Sequence, residues 1–331
     1  MIKKSFQTNS LYLMTHFKIL LLLILIARIG VFGQTLEEHE KEIAAKNNLK
    51  TKAQWDYNYT GGKHEAQGKR TSITTYSRSG EILRVDFLSS NGQVTSWERY
   101  DYDERGNRIL YERESTNSKY KKESKYDLNN NVILEAGFNG GETFRNTYEY
   151  NSQGKLTEVI RSAGNKIDEK IVYNHSGNTA NVNVYTGGKT LTSKLKLVYD
   201  SKGNILEEAV LSVDNRELES KKFRYNSRSE IIEEEKTRNG KFYYRITYEY
   251  DTSERLTSVS EETLAKKKYV KKIYTYDLNG NLTEYKWRRN PDDEFNVKEY
   301  TYDSQGICTS VHTLYPQSNY ELLTKFMYES F

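Results

Sequence analysis

The chain of 331 residues has one cysteine, Cys308. No intramolecular disulfide can form, so backbone pairing has to hold the fold together in any compartment. No H-E-x-x-H spacing is present. The histidines of the mature chain, His39, His64, His175 and His312, stand far apart in sequence, and no metal-ligand set is read from them. The EF-type D-x-D-x-D-G loop is missing as well. No catalytic constellation and no cofactor motif emerge from the remaining residues.

Long apolar runs are also lacking, with one exception at the start. Lys3, Lys4 and Lys18 precede the run Ile19–Ala27, and Val31-Phe32-Gly33 then places small residues at −3 and −1 of a cut before Gln34. This is the pattern of a secretory signal peptide over residues 1–33, with either Met1 or Met14 as its start. A transmembrane anchor needs about 20 apolar residues. This run is shorter and is interrupted by Arg28, so no stable membrane span is expected after cleavage, and the protein is expected in the periplasm, at the cell surface or secreted. No cysteine follows the cut to accept a lipid.

Surplus charge disappears with the signal. Residues 1–33 hold four basic residues and no acid, which leaves 46 Lys and Arg against 46 Asp and Glu. A nucleic-acid partner would require a surplus of Lys and Arg on one surface, and none is expected. Local patches such as Lys266-Lys267-Lys268 read as strand decoration opposite glutamates of neighbouring strands.

What is abundant is a repeat. Tyrosine followed by Asp or Asn and a turn recurs at Tyr76, Tyr102, Tyr126, Tyr150, Tyr173, Tyr199, Tyr225, Tyr250, Tyr276 and Tyr302, at intervals of 23 to 26 residues, and Tyr328 lies 26 beyond the last. So regular a period means a tandem array. In Tyr276-Asp277-Leu278-Asn279-Gly280-Asn281-Leu282 an Asp opens a type I turn and a left-handed Gly closes it in a G1 bulge. Asn130 takes the glycine position in one unit. Ser229 and Glu254 take it in two others, where strain or a different loop is expected. The turn predicts that each Tyr pairs with the residue six later, namely Ile82, Leu156, Ile205, Ile231, Leu256 and Leu282 in their units. Tyr148, Tyr248, Tyr274 and Tyr300 join the same face. The repeated Asp103, Asp127, Asp200, Asp251, Asp277 and Asp303 are turn residues on this reading rather than calcium ligands.

The second turn of each unit, as at Asn139-Gly140-Gly141 or Asn290-Pro291-Asp292, varies in sequence and length, which marks that edge for partner recognition. The expected fold is all-β: a tandem β-hairpin array in a continuous curled or spiral antiparallel sheet, thin rather than a compact sandwich, with an open and a closed arrangement both compatible with the repeat. Residues 34–52 read as an N-terminal helical cap and linker that covers the first strand edge, and residues 53–331 as the repeat domain.

The segments "YDERGNRI" from Tyr102, "YDSKGNIL" from Tyr199 and "YDLNGNLTE" from Tyr276 resemble the YD repeats of Rhs-type proteins, found also in bacterial toxin shells and teneurins. The resemblance covers about residues 76–328. It implies a spiralling sheet, often a hollow shell around a toxin or peptide, and repeats linked to carbohydrate binding. The toxin members also carry a self-cleaving core and a toxin domain, to which nothing here corresponds. Toxin delivery by this chain alone is therefore not expected, and the units are too few for a large closed shell.

The expected function is a non-catalytic extracytoplasmic binding or scaffold module with a glycan or cell-surface protein as partner. Trp97, Tyr111, Tyr285 and Trp287, aromatics off the tyrosine ladder, are the candidate ligand-binding residues; the plainer reading has them cover the second face of the sheet. The alternatives are a carbohydrate-active hydrolase using sheet-face glutamates and a surface element that assembles edge to edge. Cys308 and His312 stand four apart, a strand spacing that shares a face, although a packed thiol is the simpler role for the cysteine. N-terminal sequencing of the exported protein should begin at Gln34. A membrane-retained chain starting at Met1 or Met14 would overturn the cleavage reading.

Overall fold

The computed structural model describes residues 36–331 other than 61 and 266. The expected signal peptide and Lys266 lie outside the described residues. A helix, α1 (Leu36–Lys46), carries Glu37 and Glu38 in its first turn and Lys46 in its last, charges that complement the helix dipole. Among the described residues twenty-three strands follow. They run from β1 (Leu49–Thr60), β2 (Lys63–His64) and β3 (Lys69–Tyr76) to β20 (Leu282–Trp287), β21 (Asn296–Tyr302), β22 (Cys308–Tyr315) and β23 (Tyr320–Ser330). No described helix is long and apolar enough to cross a membrane, which says nothing about crossing by strands.

From β3 onward each strand pairs antiparallel with the next, as at Tyr76↔Ile82 and Tyr302↔Cys308. The last strand, β23, then pairs with the first, from Leu49↔Ser330 to Asn58↔Leu322, while β1 also pairs with β3. The curled sheet expected from the sequence is therefore closed into a ring. An open array would leave two rows of backbone N–H and C=O groups unpaired, and closure satisfies both. The expected edge cap has no edge to cover, and edge-to-edge assembly has no free strand to use. Helix α1 lies instead across the tight-turn rim. A Cβ built on Gly80, whose φ is +86°, would fall 2.1 Å from the Lys41 carbonyl oxygen, so only glycine lets the first tight turn meet the helix.

The tight turns follow the expected chemistry. The Asp277 backbone N–H bonds the Asn281 carbonyl, and the Gly280 N–H bonds back to Asp277. Asp277 Oδ1 accepts the N–H groups of Asn279 and Asn281 at 2.9 Å each, while Asn281 Nδ2 donates to Oδ2. The same set recurs at Asp103, Asp127 and Asp200. The asparagine hydrogen bonds hold these carboxyls below their usual range. Ser229 and Glu254 sit at φ 68° and 71°, so they make the same loop as glycine does and bear the left-handed strain of about 1–2 kcal/mol per residue. Each has a side-chain contact with a neighbouring turn: Asn204 Nδ2 donates to Ser229 Oγ at 2.9 Å, and Arg228 pairs with Glu254.

The tyrosines pair with the residues six later, and their hydroxyls add a link the sequence did not disclose. Seven of the series donate to the backbone carbonyl that opens the return strand of the preceding hairpin: Tyr126 to Arg108, Tyr150 to Val132, Tyr225 to Ile205, Tyr250 to Ile231, Tyr276 to Leu256, Tyr302 to Leu282 and Tyr328 to Cys308, over 2.7–3.0 Å. One unit departs from the expected register. The strand Lys166–Ser176 continues past Tyr173 to a turn at Gly177-Asn178, and His175 Nε2 meets the Leu156 carbonyl at 2.7 Å. His175, not Tyr173, occupies the ladder position. Tyr173 packs instead into the most apolar stretch of the wall, with Val159, Val182, Val184, Leu195 and Leu197.

The ladder hydroxyls predict a measurable loss. Tyr276→Phe keeps the ring and deletes one bond to a half-buried carbonyl, so urea denaturation should show a destabilisation of about 0.5–1.5 kcal/mol. An unchanged midpoint would remove the ladder from the account of stability.

Candidate binding surface

The tight turn decides which side chains share a face. After each turn one residue is extra: Tyr150 pairs with Leu156, Glu149 with Glu158 and Tyr148 with Val159, leaving Thr157 as the bulge. Thr157, Thr257, Thr283 and Thr309 take this place in their units and donate Oγ1 to the facing carbonyl at 3.1 Å. A bulge shifts the in-out alternation by one. The tyrosine, its partner six later and the residue nine later therefore share one face, and the residue eight later takes the other. Val159, Val259, Leu197 and Glu208 are buried on the tyrosine face, while Glu149 on the opposite face is exposed. In a closed ring the face on which side chains converge is the inner one.

This phase relocates the aromatic candidates. Tyr111 and Tyr285 are nine residues past their tyrosines and lie on the ladder face, contrary to the second-face expectation. Tyr111 stacks on Tyr100 with centroids 5.2 Å apart and continues through Tyr120 to Phe144. Tyr285 stacks on Tyr274 at 5.0 Å, and Trp287 on Tyr285 at 5.1 Å and 13°. Tyr315 meets Trp287 edge-on. Trp97 alone turns to the outer face, under the Arg84 guanidinium. The structure thus brings Tyr285 and Trp287 together, places Tyr111 in a second cluster and leaves Trp97 apart. Beyond Trp287, at the rim of variable loops, a groove of about 630 Å³ is bordered by Lys272, Arg289, Asp293, Asn296 and Gln317.

The same phase separates Cys308 from His312. Thr309 is the bulge between them, so Cys308 faces inward opposite Tyr302 and His312 faces outward opposite Glu299. Burial pushes the thiol up to about 11, and the nucleophile reading fails on both counts. Two histidines far apart in sequence are also brought together. His64 and His312 lie with ring centroids 5.4 Å apart, because the connection from β1 to β3 folds back over the outer face.

Lysines pair with glutamates of neighbouring strands as expected, including Lys122–Glu135 at 2.6 Å, Lys170–Glu158 at 2.6 Å and Lys221–Glu234 at 3.1 Å. On the inner face the position nine after the tyrosine is glutamate in three units, Glu135, Glu208 and Glu234. Burial raises the Glu135 carboxyl, but hydrogen bonds from Lys122, Tyr148 and Asn146 outweigh it and hold the group below its ordinary range. Burial raises Glu208 too; Lys221 pulls it down, Glu234 pushes it up, and the net shift is upward.

A known family model matches part of this chain. Residues 187–330 match the Teneurin YD-shell. The matched segment begins before the Tyr199 unit, and turns of the same form recur upstream of it at Gly80, Gly106, Asn130 and Gly154. Among solved structures, TcdB2-TccC3-TEV is similar over 77% of this chain and 19% of its own, at 14% identity and a TM-score of 0.31. A porin-like protein from Bacteroides uniformis ATCC 8492 is similar over 85% of this chain and 98% of its own, at 11% identity and a TM-score of 0.28. This chain thus spans about a fifth of the length of the TcdB2-TccC3 chains it matches. No match is found among curated proteins.

The raised Glu208 carboxyl gives a pH-dependent prediction. In the folded chain this group holds its proton more tightly than in the unfolded one, so its contribution is complete below the ordinary carboxyl range and drains away as pH rises through the raised value. Glu208→Gln removes that loss, and Lys221 keeps Glu234 as partner. The variant should have a higher urea midpoint than the wild type at pH 7, with the difference gone near pH 4. A gap independent of pH would show that Glu208 is not the titrating group.

Proposed function

We propose that the protein is a non-catalytic extracytoplasmic scaffold whose YD-shell sheet holds a glycan at the variable-loop rim beside Trp287. The observation that carries this reading is the stacked row Tyr274–Tyr285–Trp287 running into the groove at that rim. The apolar face of a pyranose ring packs on flat aromatic rings. The groove borders offer Lys, Arg, Asp, Asn and Gln groups, which give and take hydrogen bonds with sugar hydroxyls. The sequence supports export through its leader, and the family match supports a shell-type scaffold over residues 187–330. The Tyr111 cluster is a lesser candidate, since the cavity beside it holds only about 220 Å³.

One observation favours a hydrolase instead: Glu208, with its raised carboxyl, lies near enough to Glu234 to feel its charge, and unlike carboxyls in proximity are what acid-base hydrolysis uses. Both readings are tested on a glycan array followed by calorimetry and product analysis. Binding without turnover is expected, weakened roughly tenfold or more by Trp287→Ala, the loss of about 1.4 kcal/mol or more, and unaffected by Trp97→Ala. Product release abolished by Glu208→Gln would replace the scaffold reading with the hydrolase. A protein partner captured at the Trp287 rim, with no glycan bound, would overturn the choice of ligand.

A further inference from the structure

His64, His312 and Glu321 come from three strands, and each offers a ligand atom within 4.8 Å of the others. His312 Nε2 lies 2.9 Å from Glu321 Oε2, and His312 Nδ1 lies 3.3 Å from Glu299 Oε2. His64 Nδ1 is shielded from solvent and has no hydrogen-bond partner among the described residues. The tyrosine of β1 that pairs with His64, Tyr59, packs its ring edge-on against the imidazole at 5.3 Å.

We propose that these residues form a site for a zinc-type divalent metal ion, with His64, His312 and Glu321 as ligands and a fourth position open to water. Two imidazoles and one carboxylate are a donor set for zinc and its first-row neighbours, whereas calcium and magnesium take oxygen ligands. Bonds of about 2 Å hold tetrahedral ligand atoms roughly 3.3 Å apart, so the site needs only a small inward movement of His64. Its strand, β2, pairs with β1 alone and is free to supply that movement. Glu299 stands where an outer carboxylate fixes the tautomer of a ligating histidine, accepting from Nδ1 while Nε2 faces the ion.

The position gives the ion a structural task. His64 belongs to the connection between β1 and β3, His312 to β22 and Glu321 to β23, so a bound ion would tie the start of the ring to its end beside the seam where β1 meets β23. That seam is the one junction between neighbouring strands of the ring that no chain connection spans. The site is on the outer face, shares no residue with the Trp287 groove, and stands independently of the glycan reading.

The test uses the tag-free mature chain, stripped with a chelator and dialysed. Cobalt titration followed by visible d–d absorption, and zinc titration against a chromogenic chelator, should each report one ion per chain. His64→Ala and Glu321→Gln should weaken zinc uptake by at least roughly tenfold, and Glu299→Gln by about tenfold. Zinc should raise the thermal midpoint of the wild type and leave that of His64→Ala unchanged. His64 lies on a two-residue strand outside the ring, so a wild-type far-UV spectrum is expected for that variant. Absence of stoichiometric uptake, or uptake unaltered in folded His64→Ala, would overturn the site.

Discussion

The fold depends on one local arrangement, in which an Asp or Asn oxygen accepts two backbone N–H groups across a five-residue turn. At Asp277, Asp103, Asn151 and their counterparts, that oxygen fixes the turn before any long-range contact exists. The left-handed residue that closes the turn forces an extra residue into the return strand, and that bulge sets the face of every side chain after it. The inward phase of Tyr111, Val159, Glu208 and Tyr285 and the outward phase of Glu158 and His312 all follow from the geometry of one loop. Outside the His175 unit this local rule agrees with the global fold, which is the condition for a single well-defined native state.

The choice of tyrosine over phenylalanine follows from the same geometry. The chain has 28 Tyr and 11 Phe, a ratio that a dry core would not require. A ring of this many strands encloses more space than its side chains fill, so the inner face has to remain compatible with water while still burying area. A tyrosine buries its ring against the residue six later and spends its hydroxyl on a carbonyl of the preceding hairpin or on a glutamate, as Tyr148 does with Glu135 at 2.7 Å and Tyr244 with Glu234 at 2.7 Å. Burial pushes the phenols up, to about 12 for Tyr225, Tyr250 and Tyr300, so they remain donors across the physiological range.

Turn chemistry, the cross-hairpin partners and the lysine–glutamate decoration were legible in the sequence because each is encoded within one unit. Closure was not, since it depends on Leu49–Asn58 meeting Leu322–Ser330, and no local signal reports a pairing between the two ends of the chain. The ladder role of His175 is hidden because the repeat is otherwise carried by tyrosine. The interval of 23 residues to Tyr173, the shortest in the series, together with Ser176-Gly177-Asn178 directly after the histidine, carried the signal. The faces of Tyr285 and of the Cys308–His312 pair differ from a plain two-residue alternation for one reason: the bulge after each tight turn shifts the alternation by one. The convergence of His64 and His312 was illegible in principle, as it is a consequence of closure and of the fold-back after β1.

The seam has to replace two things that every other junction supplies, a tight turn and a preceding carbonyl for the tyrosine hydroxyl. Helix α1 supplies both. Its C-terminal turn leads into β1 through Asn48 in a left-handed conformation, and the Phe331 N–H bonds the Asn48 carbonyl at 3.1 Å, so the two ends of the sheet meet as a hairpin would without being one. The Tyr76 hydroxyl donates to Glu40 on the helix, which also pairs with Lys52 on β1, and Glu37 reaches Arg108 two hairpins along. The helix is therefore a substitute repeat rather than an edge cap. It holds the seam at the tight-turn rim through charge and packing, while the opposite end of the same seam presents His64, His312 and Glu321. The seam is the junction that no chain connection closes, and the helix at one end and the proposed site at the other would each bridge it.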